Sequence, residues 1–229
     1  MNVLLGILKT SLIDLNLGLK GDLTMTAAME SLMYSLANDE VPGTWTKYAY
    51  HSLRPLRSWL VDMLARYAQL SEWSSDMSLP RVVWLGALFN PQSFLTAVMQ
   101  TTARRNDWPL DKTKIVTDVT KKHVEQIEGP PRDGAYVSGL TLEGARWDEK
   151  AGCLEDSRPK ELYCKMPVVQ VKAIQVDKAA LGDIYSCPVY VTECRFRQEV
   201  FTAQLKYKKS DGSLKYILAG VCMFLDCDA

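Results

Sequence analysis

The chain has 229 residues, 47% of them hydrophobic and 24% charged, with 27 Lys plus Arg against 27 Asp plus Glu and a formal net charge of zero. That balance lacks the basic excess a nucleic-acid groove leaves in a composition, and the apolar content is too high for a disordered chain. Size scaling hides roughly 72% of the unfolded surface at this length, enough for one or two cores.

The opening "MNVLLGILKTSL" has no basic leader and no small-residue cleavage site, so it reads as mature protein. Leu5, Leu8, Leu12, Leu15 and Leu19 recur at intervals of three and four and predict an amphipathic helix, stopped by Gly21-Asp22. A second helix follows Thr24 and Thr26 and turns Met29, Leu32, Met33 and Leu36 inward. "NDEVPGTW" reads as a loop broken by Pro42 and Gly43. A third helix spans about 55–73, with Pro55 in its first turn and Leu56, Trp59, Leu60, Met63, Leu64, Tyr67 and Leu70 on one face. Val82 to Leu85 reads as a short buried strand. Asn90-Pro91 then opens a helix that carries Phe94, Leu95, Val98 and Met99 inward and ends near Arg104-Arg105, where cations suit the macrodipole.

After Asp107 the pattern changes to period two. Strands are predicted at Ile115 to Val119, Pro167 to Val176, Cys187 to Glu193, Glu199 to Tyr207 and, closing the sheet, Leu214 to Leu225. "WDEKAG" is a hairpin turn with Gly152 free to take positive φ. Within the stretch 130–152, Leu140 and Leu142 share a face, and Gly139 and Gly144 mark bulges or tight bends. The fold class is therefore α+β: a helical subdomain over 1–110, then a small antiparallel β-barrel or sandwich over 111–229.

A search for chemistry finds little. No P-loop, zinc-helix, nucleophile-elbow or dinucleotide fingerprint occurs. His51 and His123 read as surface residues, and the pairs Glu143 with Asp148 and Glu155 with Asp156 are what chance provides among 27 acids. Cys153, Cys164, Cys187, Cys194, Cys222 and Cys227 form no C-x-x-C pair and read as reduced structural thiols rather than a metal site. Trp59 and Trp84 lie on apolar faces and read as core. The late apolar run Tyr216 to Leu225, at 10 residues, is short of the about 20 a spanning helix needs. Neither nucleic acid nor membrane is an expected partner.

Longer stretches carry more information than these motifs. "WLGALFNPQSFLTAVMQTTARRNDWPLD" (84–111), "PPRDGAYVSGLTLEGARWD" (130–148), "KELYCKMPVVQVKAI" (160–174), "YSCPVY" (185–190) and "YILAGVCMFL" (216–225) resemble the C-terminal region of dynein heavy chains. Upstream, "VPGTWTKYAYHSLRPLRSWLVDMLARYAQLSEW" (41–73) is similar to its helical part, so the resemblance covers nearly the whole chain. "NPQSF" (90–94) and "EGARWD" (143–148) look like the axonemal rather than the cytoplasmic branch.

The resemblance implies a non-catalytic segment that follows the sixth AAA module and lies across the motor ring, helices first and a small β-barrel after. It implies that ATP and Mg belong to the ring, that microtubules and the other dynein subunits are met through the parent chain, and that the location is the cytoskeleton of the cilium or flagellar axoneme. Cofactors are expected to be none in this piece, and Met1 to mark a boundary within a longer polypeptide. Under this reading Leu5, Leu8, Leu12, Leu15 and Leu19 are the candidate ring-docking residues. Trp84, Asn90, Pro91, Gln92, Ser93, Phe94, Gly139, Gly144, Arg146 and Trp147 are family-motif residues with mainly structural work, Gln92 being the one with a possible partner contact. Two competing readings stand beside it: a free-standing cytoplasmic barrel that binds a small ligand or partner, and an unrecognised hydrolase.

Overall fold

The structure, a computed structural model, describes residues 1–176, 182–192, 199–208 and 210–225. It divides into two compact units, Met1–Glu72 and Trp73–Ala229. The division falls well before the change of sequence pattern near residue 110, because the helix Pro91–Arg105 packs on the strands Thr113–Val119 and Val169–Gln175.

The helical elements are α1 (Asn2–Lys20), α2 (Ala27–Ala37), α3 (Gly43–Thr46) and α4 (Leu56–Asp76). Gly21 ends α1 in the left-handed region, φ 82, which lets its N–H donate to Gly18 O and that of Asp22 to Leu17 O. Thr26 caps α2 by accepting from Met29 N at 3.3 Å. The expected loop at Pro42-Gly43 is one helical turn, α3, whose Trp45 is 1% exposed and anchors the segment in the core. Trp45 stacks on Trp59 at 6.1 Å between ring centroids, and Tyr50 stacks on the same indole at 5.7 Å. Trp45 Nε1 donates to Ser11 Oγ and Tyr50 Oη to Trp59 O, so the polar atoms of this aromatic ladder are satisfied where they are buried.

The inner face of α4 differs from the predicted one. Leu64 and Tyr67 are exposed, while Asp62 and Arg66 are buried. Local chemistry explains the exchange: the Arg66 guanidinium lies 3.6 Å from the centroid of the Tyr50 ring, and Arg54 Nη1 donates to Asp62 Oδ1 at 3.1 Å. Periodicity counts apolar residues and misses charged ones that are held by a ring or a counter-ion.

In the second unit, β1 (Val83–Trp84), β3 (Ala135–Ser138), β8 (Val169–Gln175) and β2 (Thr113–Val119) form one sheet in the order β1-β3-β8-β2. β10 (Phe201–Lys206), β9 (Ile184–Tyr190), β11 (Cys222–Phe224), β4 (Thr141–Glu143) and β7 (Tyr163–Lys165) form a second, in the order β10-β9-β11-β4-β7. β5 (Arg146–Asp148) and β6 (Cys153–Glu155) make a hairpin. α5 is Pro91–Arg105.

Of the expected antiparallel barrel or sandwich, the closed barrel and the purely antiparallel pairing are corrected here: both larger sheets are mixed, β1 with β3 and β9 with β11 being parallel, and they do not close into a barrel, an arrangement compatible with the sandwich. The parallel pairs arise because whole elements intervene, α5 and β2 between β1 and β3, β10 and a helix between β9 and β11. The predicted closing strand Leu214–Leu225 is α6 (Ser213–Leu218) followed by β11; Gly220 at φ 66 separates them, and buried Tyr216 holds the helix in place. The edges β2 and β10 are joined by side chains. Thr117 N donates to Gln204 Oε1 at 2.7 Å, and Gln204 N to Thr117 Oγ1 at 2.6 Å. Val137, Leu142, Trp147, Leu154, Val171, Leu205 and Met223 belong to the core cluster of this unit.

Candidate docking face and motif residues

The structure separates the five leucines of the predicted stripe. Leu8 and Leu15 are buried in the helical core, Leu5 is half-buried, and Leu12 and Leu19 are exposed. The buried row is instead Leu4, Leu8, Leu15 and Gly18, with Ser11 half-buried between them. Both rows advance by 14 residues in four steps and share Leu8 and Leu15; they differ because the core takes the neighbours Leu4, Ser11 and Gly18 in place of Leu5, Leu12 and Leu19, which turns the buried face by part of a turn toward the smaller side chains. A Cβ at Gly18 would lie 2.6 Å from Met25 Sδ, so a bare backbone suits that crossing.

The rest of α1 is unusually apolar for a surface helix. Val3, Leu12, Ile13 and Leu19 are 41–65% exposed. A groove of about 560 Å³ runs beside it, lined by Gly6, Ile7, Thr10, Asp14, Met29 and Leu32. By length and composition alone α1 could cross a membrane, but its buried row packs within the helical unit. At about 100° per residue Leu12 and Leu19 share one side of α1, next to half-buried Leu5, while Ile13 and Val3 point elsewhere.

The motif residues cluster where the second unit changes direction. The backbone passes from the first sheet to the second at Gly139, and from the second sheet to the hairpin at Gly144. Both are left-handed, φ +80 and +79. A Cβ on Gly139 would overlap Trp84 Cδ1, and one on Gly144 would lie 3.1 Å from Ala219 O. Trp84 therefore lies against a glycine corner. Asn90 accepts from Ser93 N at 3.1 Å as the N-cap of α5, and Pro91 is buried at the first helical position. Phe94 meets Trp73 edge-to-face at 5.8 Å, and Gln92 is exposed. Trp147 is 5% exposed in the core, and Arg146 Nε lies 3.7 Å from Glu161 Oε2.

Sequence reasoning overlooked Gly134, and it took Asp148 only as part of the hairpin turn and of a chance carboxylate pair. Gly134 is left-handed at φ +78, and a Cβ there would overlap Val171 O; its place between Asp133 and the strand was the available signal. Asp148 accepts from Lys150 N and Ala151 N to shape the β5–β6 turn. The Ala151 N–H is the main reason its carboxyl is held below the usual range. Gly152 follows with φ +70, as the turn requires. The free thiols Cys153, Cys187 and Cys222 are buried, and burial pushes Cys187 well up, which makes it a poor nucleophile. Cys194 and Cys227 lie outside the described residues. Among the described residues no three metal-ligating side chains come together.

The family model for the C-terminal domain of dynein heavy chains matches residues 1–225, and this polypeptide belongs to that family. It is 64% identical over 226 residues to the dynein beta chain of the flagellar outer arm of Chlamydomonas reinhardtii, covering 99% of this chain and 5% of that one. It is 51% identical over 225 residues to the ciliary dynein beta chain of Tripneustes gratilla and 48% identical over 225 residues to axonemal dynein heavy chain 17 of Mus musculus, each covering 98% of this chain and 5% of the relative. These relatives are flagellar, ciliary and axonemal heavy chains, in agreement with the branch and the axonemal, cytoskeletal location read from "NPQSF" and "EGARWD".

Proposed function

We propose that these residues are a non-catalytic regulatory part of an axonemal dynein motor, docked on the AAA ring of the same heavy chain and biasing its ATP-driven, microtubule-based cycle. The observation that carries the reading is a family match along residues 1–225 in a polypeptide that spans only 5% of its relatives' length and leaves Leu12 and Leu19 exposed on one side of α1. A docked piece without a reaction of its own acts through contact free energy that differs between ring states. A difference of about 1.4 kcal/mol changes a population ratio about tenfold. ATP and Mg would be held by the ring modules, and the dynein subunits and microtubules would be reached through the parent chain. The competing idea of a ligand held inside a closed barrel loses support, because the sheets are open and their facing sides are filled by the core cluster.

The test replaces Leu12 and Leu19 by serine in a motor that carries these residues. Neither side chain belongs to the helical core, so the melting temperature of the 229-residue protein should stay within about 2 °C of the parent. Microtubule gliding velocity or run length should fall at least about twofold if a contact near 1 kcal/mol is lost. Unchanged motility would remove α1 from the docking surface.

A further inference from the structure

One face of α5 is open from end to end. Asn90, Ser93, Ala97, Thr101 and Arg105 follow one another at intervals of three and four along a groove of about 710 Å³ in the second unit. Phe94 lies in the groove, and Phe89, 45% exposed, lies along it. Three properties say what it would take. Ser93, Ala97 and Thr101 form a row of short, exposed side chains at i, i+4 and i+8, which allows another helix to come within about 8–10 Å of the axis. The groove follows a helix of 15 residues, so an occupant has about 22 Å, three to four turns, to lie along. Small-ligand sites instead enclose most of their ligand.

The third property is charge. Arg105 and Arg132 both line the end of the groove where α5 stops, and Arg105 Nη1 donates to Arg132 O at 3.3 Å, which holds the two residues together. Asp133 approaches Arg105 at 3.8 Å, both side chains being more than half exposed, so the Arg105 charge is only weakly engaged, and exposed Arg132 adds a second cationic residue at this end of the groove. We propose that this groove docks an amphipathic helix of another polypeptide, its apolar side chains facing Phe94 and Phe89 and one or more carboxylates beside Arg105 and Arg132. This docking is independent of the α1 contact with the ring.

The experiment measures fluorescence anisotropy of labelled, N-acetylated helical peptides of about 15 residues, the length of α5, titrated with the 229-residue protein. Each peptide carries leucine and alanine on one face, with two glutamates in either its first or its last turn, and each has a twin with lysines in their place. One glutamate peptide should bind about tenfold more tightly than its lysine twin, and the Arg105→Glu/Arg132→Glu variant should reverse the preference. Ala97→Trp, at an exposed position, should weaken both. Equal binding of the twins, or a preference that survives charge reversal, overturns the proposal. So does a concentration-dependent dimer in sedimentation that Ala97→Trp dissolves, since the groove would then belong to a second copy of the protein.

Discussion

Gly139 and Gly152 share a left-handed backbone, φ +80 and +70, but not a neighbourhood. A Cβ at Gly139 would overlap Trp84, while one at Gly152 would meet only Lys121 Cε at 3.6 Å. Gly152→Ala should therefore cost only the conformational term, about 1–2 kcal/mol. Gly139→Ala should add overpacking against the indole and cost about 2–5 kcal/mol in all. Asn90→Ala, which leaves Ser93 N without its cap, should cost about 1 kcal/mol. Urea denaturation of the three variants checks the order, and a Gly139→Ala cost no larger than that of Gly152→Ala would show that Trp84 yields freely. The glycines were legible in the sequence as corners. Their reason was not, because Trp84 stands far from Gly139 in the sequence and meets it only through the β1–β3 pairing.

At the scale of elements, helices with conventional punctuation were the easiest to read. Thr26, Asn90-Pro91 and Gly21 all act as their chemistry requires. Faces were harder: Arg66 on Tyr50 and the choice of Leu4 and Gly18 over Leu5 and Leu19 along α1 are set by partners distant in sequence. Sheet connectivity was harder still, since nothing in "YILAGVCMFL" announces that it breaks into α6 and β11. The candidate docking face was legible as an amphipathic helix, but its outward residues emerged only when packing claimed Leu8 and Leu15. The β2–β10 seam was invisible in sequence, because its reciprocal pair, Thr117 and Gln204, is 87 residues apart. A double-mutant cycle with Thr117→Val and Gln204→Met should give a coupling of at least about 0.5 kcal/mol in thermal or urea unfolding. Additive losses would mean that the seam is held by the core alone.

For the molecule as a whole, the tyrosines of the second unit predict the alkaline limit. The Tyr185 and Tyr216 hydroxyls are pushed from 10.0 up to about 12, chiefly by burial, with Asp211 beside Tyr216 adding to the shift. The folded protein keeps protons that the unfolded one releases, so these groups support stability below about pH 10 and lose that support as pH rises towards about 12. Urea midpoints should fall across that window, and Tyr216→Phe should flatten the fall; a midpoint independent of pH there would refute the assignment. The parent assembly has its own check. An antibody against residues 130–229 should detect, in salt extracts of isolated axonemes, a band far larger than the 25.8 kDa of these 229 residues. A band at 25.8 kDa alone would separate these residues from a motor heavy chain.

The position of β11 has a consequence for biogenesis. Residues 222–224 lie between β9 and β4, at the middle of the five-stranded sheet, although they are the last described element in the sequence. On a translating ribosome, the helical unit can collapse as soon as it emerges, whereas β4 and β7 on one side and β9 and β10 on the other must wait for a strand made after all of them. A premature stop codon shortly before Cys222 would thus remove the central slat rather than trim an edge. It would leave two half-sheets with unpaired inner borders, a ready substrate for chaperones and for quality-control proteolysis.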